Sequence, residues 1–246
     1  MLMKIYGNAF KVLMKKPLKL WGISLLSIAL SGVLGGLCGF AIPGLAVCVG
    51  LLMGTSMTII YLKGYRGEEV STTDLFVCFK DWNTIKRVLL GMGWMALWIF
   101  IWSLIPIVGP IFAIIRTYEY RLTPYILVFE PEVPITEAIK ISSQKTNGYK
   151  GQMFLADVVY VLIFMAAAIV LGLLSAIPVL GLVFALALFV LYIGFIALAP
   201  LFGGLVQAAF YEEINGAATV FCTNCGQPMA GNSQFCANCG TAVHQG

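Results

Sequence analysis

Charge is what this sequence has least of. Only 11% of its 246 residues are Asp, Glu, Lys or Arg, against roughly 25% in ordinary soluble domains. Residues 20–62 and 158–211 contain none at all. Runs of that length exclude a soluble helical core, because they leave nothing to face water. Drawn out as one helix, the first run would extend about 65 Å at about 1.5 Å per residue. That is roughly twice the ~30 Å hydrocarbon core of a bilayer, so each run is read as two spans joined by a turn. Histidine is almost missing as well, with His244 near the C-terminus as the single example. No nucleophile–base constellation, phosphate loop or paired catalytic carboxylates stands in a soluble segment. Little general acid–base capacity is left, which argues against an enzyme. An Arg-rich stripe with interleaved aromatics is also absent, so the net charge of +4 fits an anionic inner leaflet better than nucleic acid. Residues 1–19 carry Lys4, Lys11, Lys15, Lys16 and Lys19 and no small-residue cleavage pattern follows, which argues against a secretory signal.

What the chain does contain is apolar: 60% of residues are hydrophobic and the mean hydropathy is +0.94. Pro and Gly punctuate the apolar stretches at Ile42-Pro43-Gly44, at Ile105 to Pro110 and at Ile177 to Gly181, where they suit tight turns. The expected fold is an all-α membrane bundle of six transmembrane helices arranged as three hairpins, with spans near 20–41, 45–63, 88–106, 109–129, 154–176 and 180–210. The turns at Pro43, Pro106 and Pro178 carry no charge, whereas Lys and Arg gather in the N-terminus, in 63–87 and in 116–150. The positive-inside rule then places the protein in the cytoplasmic membrane as a multi-pass protein with both termini cytoplasmic.

Each hairpin is preceded by a short amphipathic segment, at residues 8–14, 74–80 and 137–143, which suggests an internal repeat, although any six-span bundle shows some periodicity. In the first segment Lys4, Lys11, Lys15 and Lys19 recur at helical spacing, while Ile5, Ala9, Val12 and Leu13 face elsewhere. Ser71-Thr72-Thr73-Asp74 reads as a capping box for the second. Thr136 reads as a cap for the third, and Gly148 as its end before Tyr149 and Lys150.

Residues 1–215 therefore form a polytopic membrane domain, and 216–246 a small second domain. In the latter, Cys222-Thr223-Asn224-Cys225-Gly226 is followed, with ten residues between Cys225 and Cys236, by Cys236-Ala237-Asn238-Cys239-Gly240. Two Cys-x-x-Cys pairs supply four thiolates for one tetrahedral, structural Zn2+, with Cys222, Cys225, Cys236 and Cys239 as the metal ligands of a zinc ribbon. A segment this small cannot bury a core, so the metal would supply its folding energy. Disulfides would need an oxidising compartment, and a thioredoxin-like site a strand–helix context not present here. Cys38, Cys48 and Cys78 lie in or beside membrane segments and read as small packing residues.

Arg116, Glu119 and Arg121 fall inside the expected fourth span, and Asp157 lies early in the fifth. Ionisable groups at membrane depth are rare and often functional. Arg116 and Glu119, at i and i+3, can pair on one helix, with Asp157 as a second partner. These four residues form a candidate polar membrane site. The alternatives are a purely structural charge cluster, or a short fourth span that leaves them at the cytoplasmic interface.

The stretch Tyr118 to Glu130 followed by Pro131, then Glu137-Ala138-Ile139, Ser142-Ser143, Gly148-Tyr149-Lys150 and Phe154, and finally Pro200 and Ala209-Phe210-Tyr211-Glu212-Glu213-Ile214, resembles bacterial integral membrane proteins grouped as domain-of-unknown-function family 975. Glu130 stands where that family more often has Asp. A looser likeness extends to the membrane domain that accompanies some glycerophosphodiester phosphodiesterases, and the C-terminal part looks like the zinc ribbons appended to many bacterial membrane proteins. The resemblance implies a multi-span membrane domain and supplies no activity. Two functions are then open. One is a non-enzymatic scaffold or accessory protein whose cytoplasmic zinc ribbon docks a protein partner. The other is a transporter or lipid-handling protein of the bilayer that uses the intramembrane charges. Nothing in the sequence specifies an oligomeric state.

Overall fold

The computed structural model describes residues 2–15, 17–41, 43–106, 108–177, 180–216, 219–221, 224, 228–230 and 241. They are overwhelmingly helical. In chain order the helices are α1 (Leu2–Lys15), α2 (Pro17–Ala41), α3 (Pro43–Arg66), α4 (Trp82–Ser103), α5 (Val108–Glu119), α6 (Thr123–Phe129), α7 (Ile135–Lys145), α8 (Lys150–Leu174) and α9 (Gly181–Gly216), with a 3-10 segment at Thr72–Phe79. Two short strands, β1 (Thr219–Phe221) and β2 (Pro228–Ala230), pair antiparallel with Phe221 opposite Pro228.

Five helices are long and apolar enough to cross a membrane: Leu18–Leu37, Gly44–Arg66, Trp82–Ser103, Lys150–Leu174 and Gly181–Asn215. The single helix expected over 109–129 is instead two. α5 has 12 residues and α6 has 7, so α5 covers only about 18 Å at about 1.5 Å per residue. The break falls at Tyr120–Leu122, just ahead of Pro124, which has no N–H for the carbonyl four residues back and whose ring crowds it.

Residues near the start of α2 meet the end of α3. Leu20 lies against Gly64, and the Ser24 and Tyr61 hydroxyls are 3.0 Å apart in the core. The end of α9 returns to the same end of the bundle: Glu213 pairs with Lys4 at 3.0 Å and Glu212 with Arg66 at 2.7 Å. The main core sits there. It joins Ile5 and Ala9 of α1, Ile59 to Leu62 of α3, Tyr125 of α6, Met153 and Ala156 of α8, and Leu201 to Ile214 of α9. The first half of α9 and the second half of α8 are largely exposed, as helices facing lipid are.

Each of the three amphipathic segments has an element of its own. α1 buries Ile5 and Ala9 and packs against α9, leaving Lys11 exposed. Pro17 opens α2, where its missing N–H costs nothing. The Ser71–Asp74 capping box forms, with Ser71 N–H donating to Asp74 Oδ2 at 2.9 Å and Thr73 N–H to Ser71 Oγ at 3.2 Å. That segment winds as a 3-10 helix and stops at Phe79, and α4 starts afresh with Asp81 Oδ1 accepting from Thr84 N–H at 2.7 Å. The expected cap at Thr136 is not used: Pro134 is the cap residue and Thr136 lies inside the helix. Gly148, at φ +86°, makes the turn between α7 and α8, a backbone angle that disfavours any residue with a Cβ.

Candidate functional site

The break between α5 and α6 organises the polar interior. An interrupted helix leaves backbone groups without partners, and in an apolar bundle each must find one. Ser142 Oγ, fully buried on α7, accepts from Leu122 N–H at 3.2 Å and donates to the Glu119 carbonyl at 2.8 Å. Thr146 Oγ1, whose shortest bond is to the Ser142 carbonyl at 2.9 Å, also reaches the Glu119 carbonyl at 3.2 Å. Gln207 Nε2, from α9, donates to the Arg121 carbonyl at 3.0 Å. At the far end of α6, the Arg87 guanidinium donates to the carbonyls of Glu130 at 3.1 Å and Val133 at 2.8 Å. Three neighbouring helices thus supply the donors and acceptors that the break forfeits.

The charged side chains hang on this frame. Arg116 pairs with Glu119 one turn on, as the spacing predicts. Glu119 is buried and also accepts from Lys150 Nζ at 2.7 Å. Asp157 does not reach Arg116 as expected. Its partner is Arg121, whose Nη1 and Nη2 address both carboxylate oxygens, the second at 3.0 Å. This is the two-pronged geometry that makes Arg–carboxylate pairs strong. The Tyr118 hydroxyl donates to Asp157 Oδ2 at 3.0 Å, and Arg121 lies over the Tyr118 ring at 5.3 Å.

Two cavities border the network. The larger, about 460 Å³, lies between α3, α4 and the broken element, within the range of small-molecule sites. Leu51, Met92, Met95, Ala96 and Ile99 form an apolar wall, while Arg121, Asp157, Tyr118, Gln207, Thr55 and Thr58 bring polar groups. Thr55 and Thr58 donate to their own helix at the carbonyls of Leu51 and Gly54, which leaves their oxygens able to accept. The smaller, about 250 Å³, is walled by Trp94, Trp98, Trp102, Tyr120 and Arg116. The four sequence candidates are therefore linked but not equivalent. Arg121 and Asp157 line the larger cavity, Arg116 the smaller, and Glu119 neither.

Lys150, Tyr118, Ser142, Thr146 and Gln207 were not singled out as site residues. Gln207 had a legible signal, as an amide inside the long charge-free run 158–211.

Outside the spans, two carboxylates are tuned. Burial pushes the Asp74 carboxyl up, but the Lys63 ammonium at 2.7 Å and the Ser71 N–H outweigh it, so its pKa falls below the ordinary value. The Thr84 hydroxyl and N–H lower that of Asp81. Burial raises the Cys78 thiol against a weaker opposing bond to Ser56.

The four cysteines read as zinc ligands, Cys222, Cys225, Cys236 and Cys239, lie outside the described residues. The β1–β2 pairing brackets residues 222–227, which include the first Cys-x-x-Cys pair. A short antiparallel pair with two thiolates in its connection fits a zinc-binding knuckle.

Residues 221–243 match the zinc-ribbon domain family, so a zinc-ribbon domain stands at the C-terminus. No curated protein and no solved structure matches the chain, and no family match supports the likeness to family 975.

Proposed function

We propose that the chain is a non-enzymatic, multi-pass protein of the cytoplasmic membrane that receives an amphiphile between α3, α4 and the α5–α6 break. The observation that carries this reading is the larger cavity, with its apolar wall and its Arg121–Asp157–Tyr118 end. An apolar tail and a polar head would each find matching surface there. Discontinuous helices that expose backbone at membrane depth are a recurrent way to build such sites. On this reading α5 and α6 together make a sixth crossing. The Lys4–Glu213 and Arg66–Glu212 pairs support an even number of crossings, since α1 and the end of α9 then share a side, and the Lys and Arg distribution makes that side cytoplasmic.

The test is retention of lipid by the full chain purified in mild detergent, read by mass spectrometry. Wild type is expected to keep one amphiphile class at about one per chain, and Ala96→Phe, which fills the cavity from α4, to lose it. Identical lipid content in the two proteins would overturn the reading.

A second reading is favoured by the zinc-ribbon match. The ribbon, closed by one structural Zn2+ on Cys222, Cys225, Cys236 and Cys239, docks a protein partner beside the membrane. Four thiolates fill the coordination shell and leave no open position for chemistry. Removing 216–246 is expected to abolish co-purification of that partner while the bundle stays folded. An unchanged set of co-purifying proteins would sink it.

A further inference from the structure

The smaller cavity does not share the ligand logic of the larger one. Its floor is Arg116, whose side chain is 39% exposed. Its walls are Trp94, Trp98 and Trp102, spaced one turn apart along α4, together with Tyr120. Trp102 stacks on Phe112 at 5.1 Å and closes the end nearest the α4–α5 turn.

Arg116 stands eight residues into α5, about 12 Å along a helix axis. On the proposed reading of α5 as half of a sixth crossing, Arg116 lies within one turn of the end of α5 at Glu119, at the border between the hydrocarbon layer and the headgroups. A guanidinium there needs acceptors for five N–H groups. Among the described residues Arg116 has a single hydrogen-bond acceptor, Glu119. Glu119 is already shared, since its other oxygen takes Lys150. Asp157 is held by Arg121 and Tyr118. Arg116 and Lys150 thus share the single carboxylate of Glu119, while Arg121 takes Asp157, which leaves one positive charge among these five uncompensated. An unneutralised charge beside the hydrocarbon layer is costly. The half-exposed face of Arg116 therefore asks for an anion that arrives from outside the chain.

We infer that the Arg116 niche is a binding site for an anionic oxygen group, a phosphate or carboxylate, carried either by a membrane amphiphile or by a free anion. The guanidinium presents its free N–H groups as a fork suited to two oxygens. The tryptophans exclude water and can offer indole N–H donors. This site is separate from the larger cavity and does not depend on its being occupied.

The full chain in detergent is titrated with phosphatidylglycerol and, separately, with phosphatidylcholine, and bound lipid is read by native mass spectrometry. The expected result is a preference for phosphatidylglycerol of at least about tenfold, roughly the 1.4 kcal/mol of one charge-assisted contact. Arg116→Gln is expected to bring that ratio close to one. Lys11→Gln, which removes the same charge from an exposed position on α1, is expected to leave it unchanged. Trp98→Ala keeps the charge, opens the wall, and serves if Arg116→Gln fails to fold; the preference is expected to fall several-fold. Competition by inorganic phosphate assigns the site to a free anion, and absence of competition assigns it to a headgroup. No preference in wild type overturns the inference. So does a preference that survives Arg116→Gln or Trp98→Ala, or one lost equally in Lys11→Gln.

Discussion

Ser142→Ala removes one oxygen and nothing else, which makes it a sharp probe of the helix break. That oxygen has two bonds, from Leu122 N–H at 3.2 Å and to the Glu119 carbonyl at 2.8 Å. The two ends differ in what they lose. The Glu119 carbonyl keeps Thr146 Oγ1 at 3.2 Å. Leu122 N–H has no other acceptor among the described residues, and both Leu122 and Ser142 are fully buried. The expected cost is therefore that of one stranded buried donor, about 1–3 kcal/mol. For a chain of this size that is a fall of about 2–12 °C in unfolding midpoint, at roughly 2–4 °C per kcal/mol. Thr146→Val alone is expected to cost less, because the carbonyl then keeps Ser142. The double variant leaves the carbonyl bare and is expected to exceed the sum of the singles by about 0.5 kcal/mol or more. Ser143→Ala is the control, since its neighbouring hydroxyl takes no part in the break. The assay is thermal unfolding of the detergent-solubilised chain, followed by loss of helix signal. A Ser142→Ala midpoint equal to wild type, or equal to that of Ser143→Ala, would refute the assignment of Ser142 as a brace for the break.

Four further expectations follow from the same geometry. A Cβ at Gly204 would lie 2.0 Å from the ring of Tyr61, itself buried and bonded to Ser24; Gly204→Ala is expected to destabilise by about 1–3 kcal/mol, and an unchanged unfolding midpoint would contradict the α3–α9 packing. Arg121→Gln or Asp157→Asn alone leaves an unpaired charge in the bundle and is expected to cost about 3–5 kcal/mol, whereas the double variant recovers most of it; equal losses in singles and double would show that the pair is not coupled. Asp74 has its pKa lowered on folding, so its contribution is present above the ordinary aspartate value of about 3.9 and is lost as pH falls through the lower folded value; Asp74→Asn is expected to flatten the unfolding-midpoint profile below about pH 4, and a profile unchanged by the substitution would remove Lys63–Asp74 as its cause. Elemental analysis of the purified chain is expected to find about one zinc per chain, released on Cys236→Ser; a full complement of metal in that variant would exclude Cys236 as a ligand.

Much of the architecture was legible because lipid imposes a coarse rule. A charge-free run must be buried in something apolar, and 20–62 and 158–211 announce their helices on that ground alone. The amphipathic α1 and the Ser71–Asp74 cap were also readable, since one depends on helical periodicity and the other on a local bond between side chain and backbone. The break at Tyr120–Leu122 was not read, although Pro124 marked it. Residues 109–129 are apolar throughout apart from the three charges, and hydropathy does not register a missing turn. What makes the break tolerable is Ser142, Thr146 and Gln207, between 20 and 86 residues away along the chain, and no local pattern links them to it. The pairing of Asp157 with Arg121 is not legible either, because Arg121 stands in the break and Asp157 on α8, and no spacing along the chain links them. Two closely spaced Cys-x-x-Cys pairs point to a zinc ribbon as text alone, and the family match over residues 221–243 agrees.

α9 runs as one helix to the core end of the bundle, and in the sequence only Ala217 and Ala218 separate its last residue, Gly216, from the first strand at Thr219. Two residues span about 7 Å at full stretch. The zinc-ribbon domain is thus on a very short leash, unlike a domain on a long flexible linker. On the proposed reading that the ribbon docks a partner, that partner is held close to the end of α9, the helix whose Gln207 donates to the Arg121 carbonyl.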